Sequence, residues 1–540
     1  MNGYIPSGDS QLFVPHVREH VHLIHQILSN LHGDELLKQR SICKVWNNII
    51  AGINRVTFKV RNNEQSIQLF KTLSTPYKSF QFEGLDLEAQ FFSDPDFFRK
   101  FSLDFCLRID SLSFSECELP TGRFFELLAF CRKLRKLVIR ASPTILEPDM
   151  GILHWGFCFK HVQRCLAKLT FLSVRDRKIP EKALYGLAYD TKVLTTLQIG
   201  IIEGFLPVYS IGKILHNNAN TLRCLALRGK VHPCSSASTG LFPVDLPTMK
   251  NLQTLILIGQ NFANMHVEMM GNFLNKCPLL STLNVNGSTI GKTTLSSITD
   301  KLTKLSLQFN KYDKNAFKGD NFPNLRSLKL AQGPCFEGST NAFEVLLLNT
   351  YSKLRTLELK TLIDGGNLLK RLMKVNYPQL TTLALTECIN IAGPPIRHIF
   401  TNLNYLTSLS ITNCPEIDDG SLCPTYGSSQ SPSLADMKDL QFLNLSGTQA
   451  GNQTVSQCIV TLSKLENVNL NSTKVTQVGA LMIIKSLKQT VRKIYVMDLP
   501  NPTKLEDFKR WANLAPEVDV QCTIESAGMS HGIVTITDVG

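Results

Sequence analysis

The residues best equipped for chemistry are a group of histidines near the start, one pair of adjacent carboxylates and a dispersed set of cysteines. His16, His20, His22 and His25 bring imidazoles close in sequence, but only His22 and His25 have a helical i, i+3 relation. No Cys or carboxylate completes a zinc ligand set at fixed spacing. Asp418 and Asp419 have the form of a carboxylate pair for acid–base work. The 15 cysteines are scattered singly, without a Cys-x-x-Cys pair, and many fall at apolar positions where a reduced thiol behaves as a small hydrophobe. A phosphate-binding Gly-rich loop, a Gly-x-Ser-x-Gly elbow and a His-Glu-x-x-His helix are all absent from the sequence. These patterns predict no catalysis, no metal and no cofactor, and leave recognition as the available chemistry.

Recognition needs side chains presented on a frame, and the frame is repetitive. A six-residue phrase recurs with Leu or a relative at its first, fourth and sixth positions. Clear copies run from Leu134-Leu137-Ile139 through Leu169-Leu172-Val174, Leu194-Leu197-Ile199, Leu222-Leu225-Leu227 and Leu252-Leu255-Leu257. Further copies include Leu302-Leu305-Leu307, Leu380-Leu383-Leu385 and Leu440-Leu443-Leu445, and the series ends in a degenerate Val491-Ile494-Val496. Weaker forms precede them at Ile53-Val56-Phe58, Tyr77-Phe80-Phe82 and Ile109-Leu112-Phe114. The copies start mostly about 22 to 30 residues apart and make roughly seventeen strands.

Positions four and six share one face of a strand because strand side chains alternate with period two. One repeat cannot hide three large apolar side chains, so neighbours must stack as parallel strands. Short helical patterns return between them, at Phe124-Phe125-Leu127-Leu128, Met269-Met270-Phe273-Leu274 and Phe343-Val345-Leu346-Leu347. The pattern is that of an α/β leucine-rich-repeat solenoid, with a curved parallel sheet on the concave side and helices outside. Cys388 and Cys414 stand three residues after a strand's last Leu or Ile, where a tight turn admits a small side chain. The stretch Asn413 to Asp419 resembles the cysteine-containing leucine-rich-repeat subtype, which commonly carries Asp where Asp418 and Asp419 stand. Other turns hold Asn286-Gly287-Ser288 or Asn471-Ser472-Thr473, so the subtype is mixed. Two longer spacings, Ala141 to Lys168 and Cys423 to Lys438, read as insertions; the second is rich in Ser, Gly and Pro and reads as a loop without helical pattern.

The outward positions three, five and seven carry mostly positive charge. The expected substrate-binding residues are Lys136, Arg140, Arg175, Arg228, Lys304, Lys329 and Lys360, facing an acidic or phosphorylated protein segment. Arg55, Lys59 and Lys493 fall in the same outward set, against only Glu83 and Glu358 of the opposite sign. Beyond Lys360 the outward residues turn polar and uncharged, as at Thr386, Ser410, Thr412, Asn444 and Asn469, which suits hydrogen bonding to a neutral peptide.

The residues before the first strand follow a helical rhythm instead. Leu23, Ile27, Leu28 and Leu31 share one face, Asp34 is placed to cap a second helix with Leu36 and Leu37, and Ile42, Cys43 and Trp46 follow. Two or three helices in about thirty residues are too small to fold alone and must dock on something. The stretch Leu23 to Ile50 resembles an F-box, matching at Ile27 to Leu31, Asp34 to Leu37 and Ile42 to Trp46. Its opening departs from the usual Leu-Pro, with Glu19 and His20 in those places. The resemblance implies an F-box and leucine-rich-repeat protein. Residues Leu23, Ile27, Leu28, Leu31, Leu36, Leu37, Ile42, Cys43 and Trp46 would then bind the Skp-type adaptor of a cullin–RING ligase. The other reading of the same residues is a helical cap that seals the first repeat.

The expected organisation is a tail at 1–18, the F-box-like module at 19–52, the solenoid at 53–498 and a cap or tail at 499–540. A 540-residue chain exceeds one ordinary core, but an array of repeats escapes that limit. The net charge of +13 reads as spread along the chain, without a basic run, which argues against a nucleic-acid tail. No apolar run approaches the roughly 18 residues of a membrane span, and the first residues lack the pattern of a secretory signal. Cytoplasm or nucleus is the expected compartment.

Overall fold

The structure, a computed structural model, describes residues 57–73, 77–146, 159–188, 190–231, 246–259, 267–286, 298–309, 322–332, 346–347, 351–362, 365–372, 377–424, 431–497, 514, 518–524 and 532–535. The F-box-like stretch, the histidine group and residues 147–158 of the Ala141–Lys168 insertion lie outside these residues. The chain is an α/β leucine-rich-repeat solenoid, and it divides into two compact units: Met1–Gly259 with Lys276–Leu279, and Gln260–Asn275 with Leu280–Gly540.

The first unit holds β1 (Phe58–Arg61), β2 (Ser79–Glu83), β3 (Ser111–Ser115), β4 (Lys136–Arg140), β5 (Phe171–Asp176), β6 (Thr196–Phe205), β7 (Cys224–Lys230) and β8 (Thr254–Ile258). Each pairs parallel with the next, and the register sets Leu112, Leu137, Leu172, Leu197, Leu225 and Leu255 side by side. The second unit holds β9 (Thr282–Asn286), β10 (Lys304–Phe309), β11 (Ser327–Gln332), β12 (Thr356–Lys360), β13 (Thr382–Thr386) and β14 (Ser408–Thr412). It continues with β15 (Phe442–Asn444), β16 (Asn467–Asn469), β17 (Lys493–Val496), β18 (Asp519–Ile524) and β19 (Gly532–Thr535). Here the aligned row runs from Leu283 through Leu305, Leu328 and Leu357 to Val468, Ile494 and Val520. Within 499–540, β18 extends the parallel ladder and β19 pairs with it antiparallel.

The aligned leucines are at most 2% exposed, so the phrase sets the core as its spacing dictates. Each such side chain contributes roughly 1.5–3 kcal/mol of burial. The return helices close the other side of that core. Phe124, on the helix Thr121–Phe130, meets Phe114 of β3 edge-on at 5.7 Å. Phe101, on the helix Pro95–Asp104, does the same with Phe80 of β2 at 5.6 Å. The first three repeats therefore use phenylalanine where later repeats use leucine, and Phe82 stacks on Phe114 at 5.6 Å.

The first phrase corrects a sequence expectation. Ile53-Val56-Phe58 puts Phe58 at position six, whereas Phe58 pairs with Phe80 and Val60 with Phe82, so the true register lies two residues later. Lys59 stays on the outward face and Arg61 joins it, while Arg55 drops out of the set. A second correction concerns the Cys423–Lys438 loop. Its described end forms a turn of 3₁₀ helix, Leu434–Asp436, with a reciprocal Ser433–Asp436 capping box, and buries Leu434 and Met437.

The turns after eight of the strands share a rule. Position eight of the phrase adopts a left-handed backbone at Gly84, Glu116, Ala141, Thr361, Glu387, Asn413, Gly447 and Ser472. There its N–H turns toward the next repeat. Glu116 donates to the Arg140 carbonyl, Ala141 to Arg175, Glu387 to Thr412 and Ser472 to Met497. Position nine is buried and small: Cys117, Ser142, Cys388 and Cys414 each donate to the carbonyl two residues earlier. Cys117 and Ser142 thus share the site expected only at Cys388 and Cys414.

Candidate functional site

Of the outward cations, three gather. Arg140, Arg175 and Arg228 occupy position seven of β4, β5 and β7, and the intervening β6 places Gly200 in that row. The three arginines line a depression of about 220 Å³ with Ser173, Gln198, Gly200, Ala226 and Ile256. Gly200 shapes it: a Cβ built there would sit 3.0 Å from Arg175 Cγ, so the Arg175 stem lies across a bare backbone. Pairing of β6 with β7 also shifts register just past Gly200, which opens the sheet at this point. Among the lining residues, Ser173 Oγ donates to Gln198 Oε1 at 3.2 Å, and the Gln198 amide nitrogen keeps its donor capacity.

The electrostatics differ from the rest of the outward face. Arg61 pairs with Glu83 at 3.4 Å, Lys329 with Glu358 at 2.7 Å and Lys360 with Glu387 at 3.4 Å. Each of these three cations meets a carboxylate from the next repeat. Arg140, Arg175 and Arg228 have no ion pair among the described residues, and no acid lines their depression. Adjacent like charges on neighbouring strands are destabilising, by on the order of 1 kcal/mol per pair at about 4 Å in water.

The other expected substrate contacts fall differently. Lys136 is exposed, with its Nζ 5.2 Å from the centre of the Phe171 ring. Lys304 is exposed on β10, while Lys329 and Lys360 are held by their carboxylates. Lys304, Lys329 and Lys360 belong to the second unit, and Lys136, Arg140, Arg175 and Arg228 to the first. The adaptor set, Leu23 to Trp46, lies outside the described residues. Several polar residues beyond Lys360 are used internally. Asn444 Oδ1 accepts from the Ser446 N–H, Asn469 Oδ1 from Asn471, and Thr412 Oγ1 lies 3.0 Å from Thr386 Oγ1.

A second basic depression escaped the expectation that the charge forms no run. Arg132, Lys133, Arg135 and Lys136 are four cations in five residues. Arg132, Lys133 and Arg135 line a depression of about 520 Å³ with Lys168 and Thr170, where Asp110 supplies a carboxylate. The local run was the signal for it; Arg132, Lys133 and Arg135 fall outside positions three, five and seven and so were lost in a count of outward positions.

The carboxylate pair has a structural use. Asp418 Oδ1 accepts from the N–H and hydroxyl of Ser421 and caps its own helical turn. Asp419 Oδ1 accepts from the Gly451 and Thr454 N–H groups and caps the helix Asn452–Gln457 of the next repeat. Burial pushes the Cys165 thiol up to about 11 and the Cys277 thiol up to about 12, which leaves both neutral and poor nucleophiles near pH 7. Among the described residues, no three His, Cys, Asp or Glu side chains are grouped to hold a metal, and no helix is long and apolar enough to cross a membrane.

No protein-family model matches the chain, and no curated protein sequence matches it. Solved structures do resemble it. A leucine-rich-repeat protein of Leptospira interrogans shares 17% identity over 86% of this chain and 100% of that one, with a TM-score of 0.38. The functional domain of InlJ from Listeria monocytogenes, described as including a cysteine ladder, shares 13% identity over 85% and 77%, with a TM-score of 0.30. A chain of the yeast Rad7 and Elc1 complex shares 12% identity over 93% of each, with a TM-score of 0.35.

Proposed function

We propose that this chain is a non-catalytic receptor that holds an acidic protein segment on its outward strand face and presents it to an SCF-type ubiquitin ligase. The observation that supports the receptor reading is the arginine cluster, three outward cations that share a depression without a carboxylate. The ligase part rests on the F-box resemblance of Leu23 to Ile50. In that reading Leu23, Ile27, Leu28, Leu31, Leu36, Leu37, Ile42, Cys43 and Trp46 dock a Skp-type adaptor and through it a cullin, in cytoplasm or nucleus. The receptor then accelerates ubiquitin transfer by raising the effective concentration of substrate near the ligase, without side-chain chemistry of its own.

Affinity purification of the full chain and of an Ile27→Ala, Leu28→Ala, Trp46→Ala variant tests the reading. Adaptor and cullin should accompany the intact chain and be lost from the variant, while substrate capture persists. Their absence from the intact chain would leave a binding scaffold whose N-terminal helices cap the array.

A further inference from the structure

We propose that the depression under Arg140, Arg175 and Arg228 is a phosphoryl site, built to seat a phosphorylated serine or threonine of a protein segment. It rests on the reading that the outward face receives a protein, and it names what that protein must carry. Three features point to a phosphoryl group rather than a carboxylate side chain. First, the cations are three and converge on one depression, whereas a planar carboxylate engages a single guanidinium in a bidentate pair. A phosphoryl group brings roughly two negative charges and three strong acceptor oxygens. Second, the floor is set for an acceptor-only ligand. Ser173 donates its hydroxyl proton to Gln198 Oε1, and Gln198 keeps an amide nitrogen that can only donate. Third, Gly200 removes the side chain that would stand between Arg175 and Arg228, and Arg175 uses that gap.

The same observations favour a phosphorylated protein over a nucleic acid or a membrane. Polyanions are met by cations spread along a track, yet along this row the flanking positions are Ser115 on β3 and Ile258 on β8. At β1 and β2 the row ends in the Arg61–Glu83 pair, which is already neutral. The depression of about 220 Å³ suits one phosphoryl group and the side chain bearing it, whereas the second basic depression already holds the carboxylate of Asp110.

The test is binding of fluorescent peptides to the intact chain, with no adaptor present, at fixed ionic strength. Three peptides share flanks and differ at one residue: phosphoserine, glutamate or serine. Phosphoserine should bind about tenfold more tightly than glutamate, and serine should bind weakest. Arg175→Gln should erase the preference for phosphoserine. Gly200→Ala keeps every charge but displaces Arg175, and should weaken phosphoserine binding about threefold or more while leaving the glutamate peptide unaffected. The thermal midpoint of each variant checks folding. Equal affinity for the phosphoserine and glutamate peptides overturns the phosphoryl site while leaving an acidic-segment receptor intact. Retention of full preference in both variants overturns it as well, and so does tighter, Arg175-dependent binding to single-stranded DNA or to phosphoinositide vesicles. Loss of adaptor from the purified complex bears on the ligase reading alone, because no adaptor enters this measurement.

Discussion

The backbone N–H of Ser142 donates to Asp176 Oδ2 at 2.9 Å, and the Ser142 hydroxyl in turn accepts from the Cys117 N–H at 3.0 Å. Three successive turns are thereby joined by side chains that the strand phrase does not specify. Asp176 is 1% exposed, and burial pushes its carboxyl above the usual carboxylate range despite two backbone donors. Its contribution to stability is complete below the ordinary carboxylate value and is lost as pH rises through the raised one. The stability difference between the native chain and Asp176→Asn, from urea titrations at a series of pH values, should therefore fall with rising pH across that window. A difference that grows with pH would contradict the burial argument.

Core leucines and outward residues of neighbouring strands should separate cleanly. Leu383→Ala on β13 empties a site that is 1% exposed and should cost about 2–5 kcal/mol. Ser410→Ala on the outward side of β14 should stay within about 0.5 kcal/mol. Denaturant unfolding of both variants checks the assignment of faces.

The left-handed turns make a prediction of opposite signs. Ala141 has φ 46°, which disfavours any side chain, so Ala141→Gly should stabilise by up to about 1 kcal/mol. Gly447 has φ 70°, and a Cβ there would press on the Asn413 backbone at 3.1 Å. Gly447→Ala should therefore destabilise by about 1–3 kcal/mol. Matching signs for the two substitutions in thermal unfolding would refute this account of the turns.

Asp419 is a cap, and its removal should be felt in the helix of the following repeat. Asp419→Ala should cost about 1–2 kcal/mol. Amide exchange should rise at Gly451 and Thr454, whose N–H groups it now accepts. Peptide binding at Arg140, Arg175 and Arg228 should be unchanged.

Much of this was readable in the residues because leucine spacing and strand alternation are the same fact. Leu137 and Ile139 had to point inward together, and that put Arg140 outward. The error at Ile53-Val56-Phe58 has a physical cause. Apolar residues at 56, 58 and 60 satisfy two registers that differ by two, and a shift of two leaves the face unchanged. Partnerships were less legible. Glu387 stands outside the strand phrase, so its neutralisation of Lys360 required the folded turn. Gly200 carries no signal in the residues alone, because what it does depends on where Arg175 lies. The turn cysteine position was seen at Cys388 and Cys414 but missed at Cys117, which follows one of the weaker phrases, Ile109-Leu112-Phe114.

The position-eight turns give the array a direction in which it comes apart. Each turn is finished by the carbonyl of the repeat that follows, as Glu116 is by Arg140 and Glu387 by Thr412. Peeling away a later repeat strands an N–H on a backbone already held in a costly conformation. Peeling away an earlier one strands only a carbonyl, which water satisfies readily. Fraying therefore travels more easily from lower numbers toward higher ones, like a zipper with teeth cut on one side, and pulling on the two ends of a unit should meet unequal resistance.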